Sequence, residues 1–344
     1  MINVGVVGAT GYTGIELLRL LSKHEAVELT VATSNSEKGK AIKDVFPSLR
    51  AHVDLEFVGH DSEQLKSCDI VFFATPHATA MHHVPKLLDQ GCKVIDLSAD
   101  FRISNAALWE EWYQVKHACP ELLNKAVYGL PELNRQDIKD ADLIANPGCY
   151  PTAVTLALLP AIKKGLINSD IIADAKSGVS GAGRKAALAT QFSEVSETFK
   201  AYAASGHRHL PEILQTLNNN QVVSEVNLTF VPHLVPMNRG IFATVYVKPT
   251  GNAKELQEHY TAFYAQEEFV DVMPQGSHPD TASVRATNAC RLAIHPGKNA
   301  SQPTVILSVI DNLVKGAAGQ AIQNMNLMLG LDESMGLATP GLTP

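Results

Sequence analysis

The sequence lacks the features by which nucleic-acid-binding, membrane and secreted proteins are usually recognised. Its net charge is −7 and no run of Lys or Arg stands out, so neither a nucleic acid nor a charged membrane surface is an expected partner. One of the longest apolar stretches, 154–162, is too short to span a bilayer. The apolar start of the chain has no basic segment before it, which argues against a signal peptide. We therefore expect neither a nucleic acid nor a membrane as a partner.

Cysteines are few, and their spacing argues against cross-linked frameworks. The five of them are odd in number, lie far apart and form no Cys-x-x-Cys pair. Disulfides and a structural zinc site are therefore not expected. Such a cysteine pattern is consistent with a protein of the reducing cytoplasm. The five residues are Cys68, Cys92, Cys119, Cys149 and Cys290.

The first part of the chain alternates apolar runs typical of buried strands with helical patterns. This alternation predicts an α/β domain with a doubly wound, parallel, Rossmann-type sheet, and a length of 344 residues leaves room for a second domain. We place the first domain at residues 1–148. Its expected strands are 2–7, 27–33, 69–75, 93–97 and 143–145, with helices around 15–21 and 80–89.

After this point the strands show polar alternation, which predicts a second domain of the α+β class over residues 149–312. The final segment, 313–344, contains a predicted helix over 314–329 whose small residues favour close packing, and we expect it to return to the first domain. The second domain's expected strands are 227–232, 241–247, 291–294 and 304–310, and its expected helices lie near 185–200, 208–218 and 253–267.

A glycine-rich turn lies between the first predicted strand and the first predicted helix. The spacing is Gly-x-x-Gly-x-x-Gly, a variant of the dinucleotide-binding fingerprint, in the strand–turn–helix context that the fingerprint requires. Backbone N–H groups at such a helix start hold a diphosphate, helped by the helix dipole. The candidate cofactor-binding residues here are Gly8, Thr10, Gly11, Tyr12, Thr13 and Gly14.

The end of the second predicted strand favours NADP over NAD. NAD sites usually carry an acidic residue there for the ribose 2′-hydroxyl. This chain instead has the run 33–36, which includes Ser34, with Lys38 and Lys40 close by and no carboxylate before Glu37. Hydroxyl groups and nearby cations suit a 2′-phosphate, although the two lysines are equally compatible with an ordinary loop.

Cys149 lies at a predicted helix start. The segment Asn-Pro-Gly-Cys-Tyr-Pro-Thr, 146–152, follows a buried strand, and Pro151 suits the first turn of a helix. A helix N-terminus lowers the pKa of a thiol, and its N–H groups stabilise an oxyanion. Cys149 is therefore a candidate nucleophile, whereas the other four cysteines are expected to be small buried residues.

A nucleophilic thiolate needs a base, and the segment 205–212 offers two histidines around an arginine. Either His207 or His209 is placed to exchange protons with the thiol, and Arg208 is placed to hold a carboxylate. A metal site built from the same histidines is the alternative, but the sequence offers no further ligands nearby. We expect no metal.

Together these segments resemble the N-acetyl-gamma-glutamyl-phosphate reductases of arginine biosynthesis, within the aspartate-semialdehyde dehydrogenase superfamily. The resemblance covers nearly the whole chain and is most specific at 146–152. The matching segments are 8–14, 74–77, 96–102, 128–134, 144–160, 178–184, 206–212, 232–240 and 311–320.

The resemblance implies roles for individual residues. Cys149 is implied as the nucleophile and His209 as the acid/base, with His207 the less favoured choice. The resemblance also implies a homodimer or homotetramer. Cofactor contacts are implied for Pro76, Ser180, Gly181 and Asn312. Contacts with the substrate are implied for His207 and, at its anionic groups, for Arg102, Arg208 and Arg239. Each arginine is equally suited to a structural salt bridge.

Three alternatives remain at this point. An aspartate-semialdehyde dehydrogenase and a carrier-linked aminoadipyl-phosphate reductase share the chemistry and differ in the length of the acyl phosphate. A regulator that senses NADPH through a similar glycine turn is the non-enzymatic alternative. Such a regulator needs neither Cys149 nor the two histidines.

Overall fold

The computed structural model describes residues 1–222, 224–252, 254–299 and 301–342, and these form two compact units. The first unit consists of Met1–Pro147 and Ala317–Ala338, and the second contains Gly148–Gly316. Ala253, the first residue of an expected helix, and Thr343 and Pro344, at the end of the expected final segment, lie outside the described residues. None of the described helices is long and apolar enough to cross a membrane.

The described residues of the first unit contain a parallel sheet, as predicted, but it has seven strands where the sequence predicted five. Its central strands carry apolar residues on both faces, and Ile70–Phe73 is wholly buried because helices cover both sides. From edge to edge the strands are Phe57–Val58, Val27–Thr33, Ile2–Val7, Ile70–Phe73, Lys93–Asp96, Leu143–Ala145 and Val127–Tyr128. The α-helices of residues 1–147 are Tyr12–Leu21, Ile42–Val45, Val84–Leu88, Ala106–Tyr113 and Pro131–Asp140.

The C-terminal helix of the first unit, Gly319–Met328, is buried along its whole length although it carries four amide side chains. It packs against the helices Tyr12–Leu21 and Pro131–Asp140. Asn324 Nδ2 donates to the carbonyl oxygen of Gly129 at 2.8 Å and to Asn146 Oδ1 at 3.0 Å. Amide side chains on this helix thus hold the loops that leave the parallel sheet.

The second unit contains a mixed sheet of seven strands among its described residues. Helix Cys149–Lys163, the Cys149 helix, packs on this sheet and is buried from Tyr150 to Ile162. From edge to edge the strands are Val270–Val272, Cys290–His295, Thr304–Ile310, Ile241–Val247, Asp170–Gly178, Asn227–Val235 and Lys200–Ala201. The other α-helices of this unit are Phe192–Val195, His209–Asn218 and Lys254–Phe263.

Pro160 interrupts the hydrogen bonds of the Cys149 helix without breaking it. A proline has no N–H for the carbonyl four residues earlier, which here belongs to Leu156. The hydroxyl of Tyr264 donates to that oxygen at 2.7 Å, and the hydroxyl of Tyr260 donates to the next one, Ala157, at 2.7 Å. The buried Tyr264 therefore replaces the donor that the proline lacks, and the buried Tyr260 adds a hydrogen bond to the next carbonyl oxygen.

The prediction of a helix near 185–200 is wrong. That segment contains a 3₁₀ turn, a four-residue helix at Phe192–Val195 and the short strand Lys200–Ala201. Its apolar spacing resembles that of a helix, but Leu188 and Phe192 are 70% and 82% exposed. Helices draw most of their stability from packing an apolar face, and these side chains find none within their unit. The strand Asp170–Gly178 was not predicted.

We expect Asn324→Ala to lower the free energy of unfolding by about 1–3 kcal/mol, because two buried oxygens lose their donor. Urea denaturation measures this change. Asn168→Ala is the matched control, since the Asn168 side chain is exposed. Equal stability of the two variants would contradict the role given to the Asn324 amide.

Candidate active site

Cys149 is the first residue of its helix, as the turn chemistry predicted. Gly148 precedes it in an extended conformation, and no side chain caps this helix start. Cys149 is half-buried, whereas the other four cysteines are buried. N–H groups of the first turn have no acceptor within a helix, so an anion or oxyanion at this position finds donors already oriented.

A second helix begins beside the first. Helix His209–Asn218, the His209 helix, packs against the Cys149 helix and carries Glu212 in its first turn. The Gly148 N–H donates to Glu212 Oε1 at 2.8 Å, and the Glu212 residue is only 1% exposed. A buried carboxylate therefore lies at the positive ends of both helices, where their dipoles stabilise it.

The two histidines have different environments. His207 Nδ1 accepts the backbone N–H of His209 at 3.1 Å and so caps the His209 helix. Burial, and to a lesser extent the charge of Arg208, lowers the pKa of His207 to about 4. His207 is therefore neutral at physiological pH and carries its proton on Nε2. His209, the first residue of its helix, is half-buried.

Aromatic rings enclose both histidines. The Tyr150 ring lies 5.8 Å from that of His207 and 5.9 Å from that of His209, edge to face, and the two imidazoles are 4.8 Å apart. Tyr202 Oη donates to Tyr150 Oη at 3.2 Å, which donates to the carbonyl oxygen of His233 at 3.1 Å. Burial raises the pKa of Tyr150 and raises that of Tyr202 to about 12, so both hydroxyls stay protonated.

Gly316 approaches Cys149 from another part of the second unit. A Cβ atom added at Gly316 would lie 2.8 Å from Cys149 Cβ, closer than side-chain atoms tolerate. The Gly316 N–H donates to the carbonyl oxygen of Asp311 at 3.0 Å, within a π-helical turn over 314–318. Such turns are frequent at functional sites. Glycine at position 316 thus leaves room for Cys149.

The second unit also brings together the residues expected beside the nicotinamide. Asn312 Nδ2 donates to Ser180 Oγ at 2.9 Å, and Asn312 Oδ1 accepts the Gly240 N–H at 2.7 Å. Gly181 lies in the same short turn as Ser180. Arg239, one residue before Gly240, is paired with buried Asp311 at 3.4 Å. Arg208 is exposed at the start of the His209 helix.

The glycine turn of the first unit has the predicted strand–turn–helix form. Gly8 has φ +82°, and a Cβ there would lie 2.6 Å from the carbonyl oxygen of Ala74. The helix begins at Tyr12 with Gly11 at its N-cap and no side-chain cap. Thr10 Oγ1 hydrogen-bonds Ser34 Oγ at 3.1 Å. Because no side chain caps this helix start, its backbone N–H groups are suited to donate hydrogen bonds to a diphosphate, and the close-packed glycine turn precedes them.

Two further predicted residues lie in the first unit. Pro76 is exposed and follows the buried strand Ile70–Phe73. Arg102 is buried, and its guanidinium donates to the carbonyl oxygens of Asn146 at 2.8 Å and Leu97 at 2.7 Å. These contacts favour the structural alternative for Arg102, and its contact with substrate stays a prediction.

Comparisons with known proteins agree on one family. The family model described as "Semialdehyde dehydrogenase, NAD binding domain" matches residues 3–141, and "Semialdehyde dehydrogenase, dimerisation domain" matches 149–312. Two relatives named N-acetyl-gamma-glutamyl-phosphate reductase, from Nitrosospira multiformis and Pseudomonas entomophila, are 56% and 57% identical to this chain, each over 100% of both chains. The chain belongs to the N-acetyl-gamma-glutamyl-phosphate reductase family. As a member of it, the chain is an oxidoreductase that binds a nicotinamide cofactor.

Solved structures add the fold. The aspartate semialdehyde dehydrogenase II of Vibrio cholerae has a TM-score of 0.74 at 18% identity, covering 96% of this chain and 98% of its own. A probable aspartate-semialdehyde dehydrogenase from Pseudomonas aeruginosa has a TM-score of 0.72 at 19% identity, with 95% and 98% covered. Within the parts of the chain that are described, no group of three or more His, Cys, Asp or Glu is arranged to hold a metal ion.

Sequence reasoning missed Glu212 and Gly316. Glu212 stands in the first turn of a predicted helix, a position that favours acidic residues, but nothing in its spacing points to Gly148. Gly316 belongs to a predicted helix with several small residues, and the sequence does not tell which of them faces the cysteine. Both contacts join residues that are distant along the chain.

We expect Gly316→Ala to lower turnover about 100-fold, because the added methyl group displaces the Cys149 backbone by several tenths of an ångström or more. Steady-state kinetics measures the loss, and the rate of Cys149 alkylation by iodoacetamide reports on the thiol itself. Gly251→Ala is the control, since a Cβ there meets open space. Wild-type turnover in Gly316→Ala would show that the close approach is unimportant.

The lowered pKa of His207 predicts a pH dependence of stability. Between pH 6.5 and about 4 the unfolded chain takes up a proton at this residue and the folded chain does not. The free energy of unfolding therefore falls as the pH drops through this window. His207→Asn, which keeps an acceptor for the His209 N–H but does not titrate, should show a shallower fall. Urea midpoints at several pH values test this, and identical slopes would refute it.

Proposed function

We propose that the chain reduces N-acetyl-glutamyl 5-phosphate to N-acetyl-glutamate 5-semialdehyde and phosphate, with NADPH as the reductant. The observation that carries the proposal is the half-buried Cys149 at the start of a buried helix, where the ring of the next residue, Tyr150, contacts two histidines. The names of the relatives support the substrate, and the site supports covalent chemistry.

Cys149 acts as the nucleophile in this proposal. Its thiolate attacks the acyl-phosphate carbonyl, the C–O bond to phosphate breaks, and a thioester forms on the sulfur. The carbonyl oxygen becomes an oxyanion on the way, and the first-turn N–H groups of the Cys149 helix stabilise it. Gly316 keeps the space that allows the sulfur to stand at this helix start.

His209 is the acid/base, and His207 positions it. A neutral His207 with a pKa of about 4 is a poor proton donor at physiological pH, whereas its bond to the His209 N–H fixes the start of the helix. His209 donates a proton to the departing sulfur as the aldehyde leaves. His207, Arg208 and Arg239 are the candidates of the second unit for binding the anionic groups of the substrate, with Arg102 as a candidate of the first.

The nicotinamide cofactor supplies the hydride that converts the thioester to the aldehyde. Residues of the glycine turn, Gly8, Thr10, Gly11, Tyr12, Thr13 and Gly14, hold its diphosphate in this proposal. Ser180, Gly181, Asn312 and Pro76 orient the nicotinamide end, and the hydrogen bonds of Asn312 hold the turn of Ser180 in shape.

The NADP preference rests on Ser34. Its hydroxyl lies within hydrogen-bonding distance of Thr10 and Ser36, and so links the glycine turn to the loop that follows the second strand. Glu37, the first carboxylate of that loop, is paired with Lys40 at 2.8 Å. Neutralising this carboxylate removes charge repulsion against a 2′-phosphate.

We further propose that the protein works in the cytoplasm as a homodimer or homotetramer. The description of the family model that matches 149–312 as a dimerisation domain supports this. In this arrangement, residues 1–148 bind the cofactor, 149–312 carry catalysis and subunit contacts, and 313–344 complete the first domain.

The deciding experiment measures the oxidation of three aldehydes in the presence of phosphate, with NADP and with NAD. The aldehydes are N-acetylglutamate semialdehyde, aspartate semialdehyde and a carrier-linked aminoadipate semialdehyde. We expect N-acetylglutamate semialdehyde with NADP to be the best pair by at least about 100-fold in kcat/KM. Cys149→Ser should lose activity by orders of magnitude and still bind NADPH, and Cys290→Ser, at a buried cysteine, is the control. Faster oxidation of aspartate semialdehyde or of the carrier-linked aminoadipate semialdehyde would show that this aldehyde, and not N-acetylglutamate semialdehyde, is the substrate. NADPH binding without turnover of any of them would favour a regulator.

A further inference from the structure

A buried threonine on the neighbouring strand supports the glycine turn. Thr33, the last residue of the strand Val27–Thr33, is fully buried and accepts two N–H groups of the turn. Its hydroxyl accepts the Gly8 N–H at 3.3 Å, and its carbonyl oxygen accepts the Ala9 N–H at 2.9 Å. Gly8 has φ +82°, and its own carbonyl oxygen accepts the Gly11 N–H at 3.2 Å. The position of Gly8 therefore determines the position of the helix start.

His60 lies on the other side of the same hydroxyl. Thr33 Oγ1 and His60 Nδ1 are 2.5 Å apart, and the backbone N–H of His60 donates to Asn35 Oδ1 at 3.1 Å. His60 follows the strand Phe57–Val58, which pairs with the end of the threonine's strand. His60 is thus held by two hydrogen bonds, one from its backbone N–H to Asn35 and one between its ring nitrogen and Thr33.

The donors and acceptors of the Thr33 hydroxyl determine the direction of its hydrogen bond with His60. A threonine hydroxyl has one hydrogen and two lone pairs, and the Gly8 N–H already uses a lone pair. The buried hydrogen needs an acceptor, which His60 Nδ1 provides if the ring carries its proton on Nε2. Burial and, to a lesser extent, the charge of His83 lower the pKa of His60, which favours this neutral ring.

We propose that His60 is a positioning residue for the cofactor's diphosphate: it fixes the hydroxyl of Thr33, which in turn holds Gly8 and the glycine turn in their binding geometry. The inference rests on the proposed function, because that proposal assigns the turn to the diphosphate. His60 itself touches no part of the cofactor in this scheme. Nothing in its local sequence marks it, since it becomes linked to the turn through the pairing of two strands.

Four variants test the proposal through the dissociation constant of NADPH, measured by fluorescence titration. His60→Leu and Thr33→Val should each weaken binding roughly tenfold, the upper end for one hydrogen bond. The double variant should bind no more weakly than the weaker single one, because both changes break the same chain of contacts. His60→Asn places an amide where Nδ1 lies and should stay within about twofold of wild type. The value of kcat at saturating NADPH should not change.

Two controls separate positioning from general loss of structure. His52→Leu changes an exposed histidine in the same unit and should bind NADPH normally. Adenosine 2′-monophosphate lacks the diphosphate, so its affinity should be the same for wild type and His60→Leu. If His60→Leu does not fold, His60→Gln replaces it: its amide reaches the place of Nε2 rather than Nδ1, and it should bind NADPH more weakly than His60→Asn.

Several outcomes overturn the inference. Normal NADPH affinity in His60→Leu, or strictly additive losses in the double variant, would show that the imidazole does not act through Thr33. An equal loss of affinity for adenosine 2′-monophosphate would show a general structural defect. A wild-type protein that binds no NADPH would instead overturn the proposed function, and the inference with it.

Discussion

The hydrogen bond from Gly148 to Glu212 is the contact on which the geometry of the second unit's site depends. It joins the starts of two helices, one of which begins with Cys149, the proposed nucleophile, and the other with His209, the proposed acid/base. A buried carboxylate would be costly alone, but two helix N-termini and a backbone donor stabilise it. In the proposed mechanism the same helix start favours the thiolate of Cys149, so one set of backbone dipoles acts on both groups. A small rotation of either helix would alter both.

Backbone N–H groups at helix starts recur as the proposed binding element in both units. One such start follows the glycine turn and suits a diphosphate, and the other begins at Cys149 and suits an oxyanion. In each case a glycine leaves the space: Gly8 lies against the carbonyl oxygen of Ala74, and Gly316 lies against Cys149. Both helix starts thus offer oriented backbone dipoles to an anion, which is consistent with the lack of basic clusters in the sequence.

Local chemistry explains what was predictable from the sequence. The parallel sheet, the glycine turn and the helix start at Cys149 follow from periodicity and turn residues within a few positions of each other. Glu212 and Gly316 escaped prediction because their partners are distant along the chain and only the fold brings them together. The helix expected near 185–200 failed for the opposite reason: its pattern is local, but a helix needs a surface to pack on, and Phe192 is 82% exposed.

The two histidines show why a motif alone does not assign roles. His207 and His209 are two residues apart, and the sequence treats them alike apart from the resemblance. In the structure His207 Nδ1 accepts a backbone N–H and is therefore unprotonated, and partial burial among aromatic rings lowers the pKa of His207 and favours a neutral ring. A histidine committed to capping a helix cannot also exchange a proton at that nitrogen. The capped residue is His209 itself, so the histidine that does not titrate at physiological pH fixes the position of the one proposed to do so.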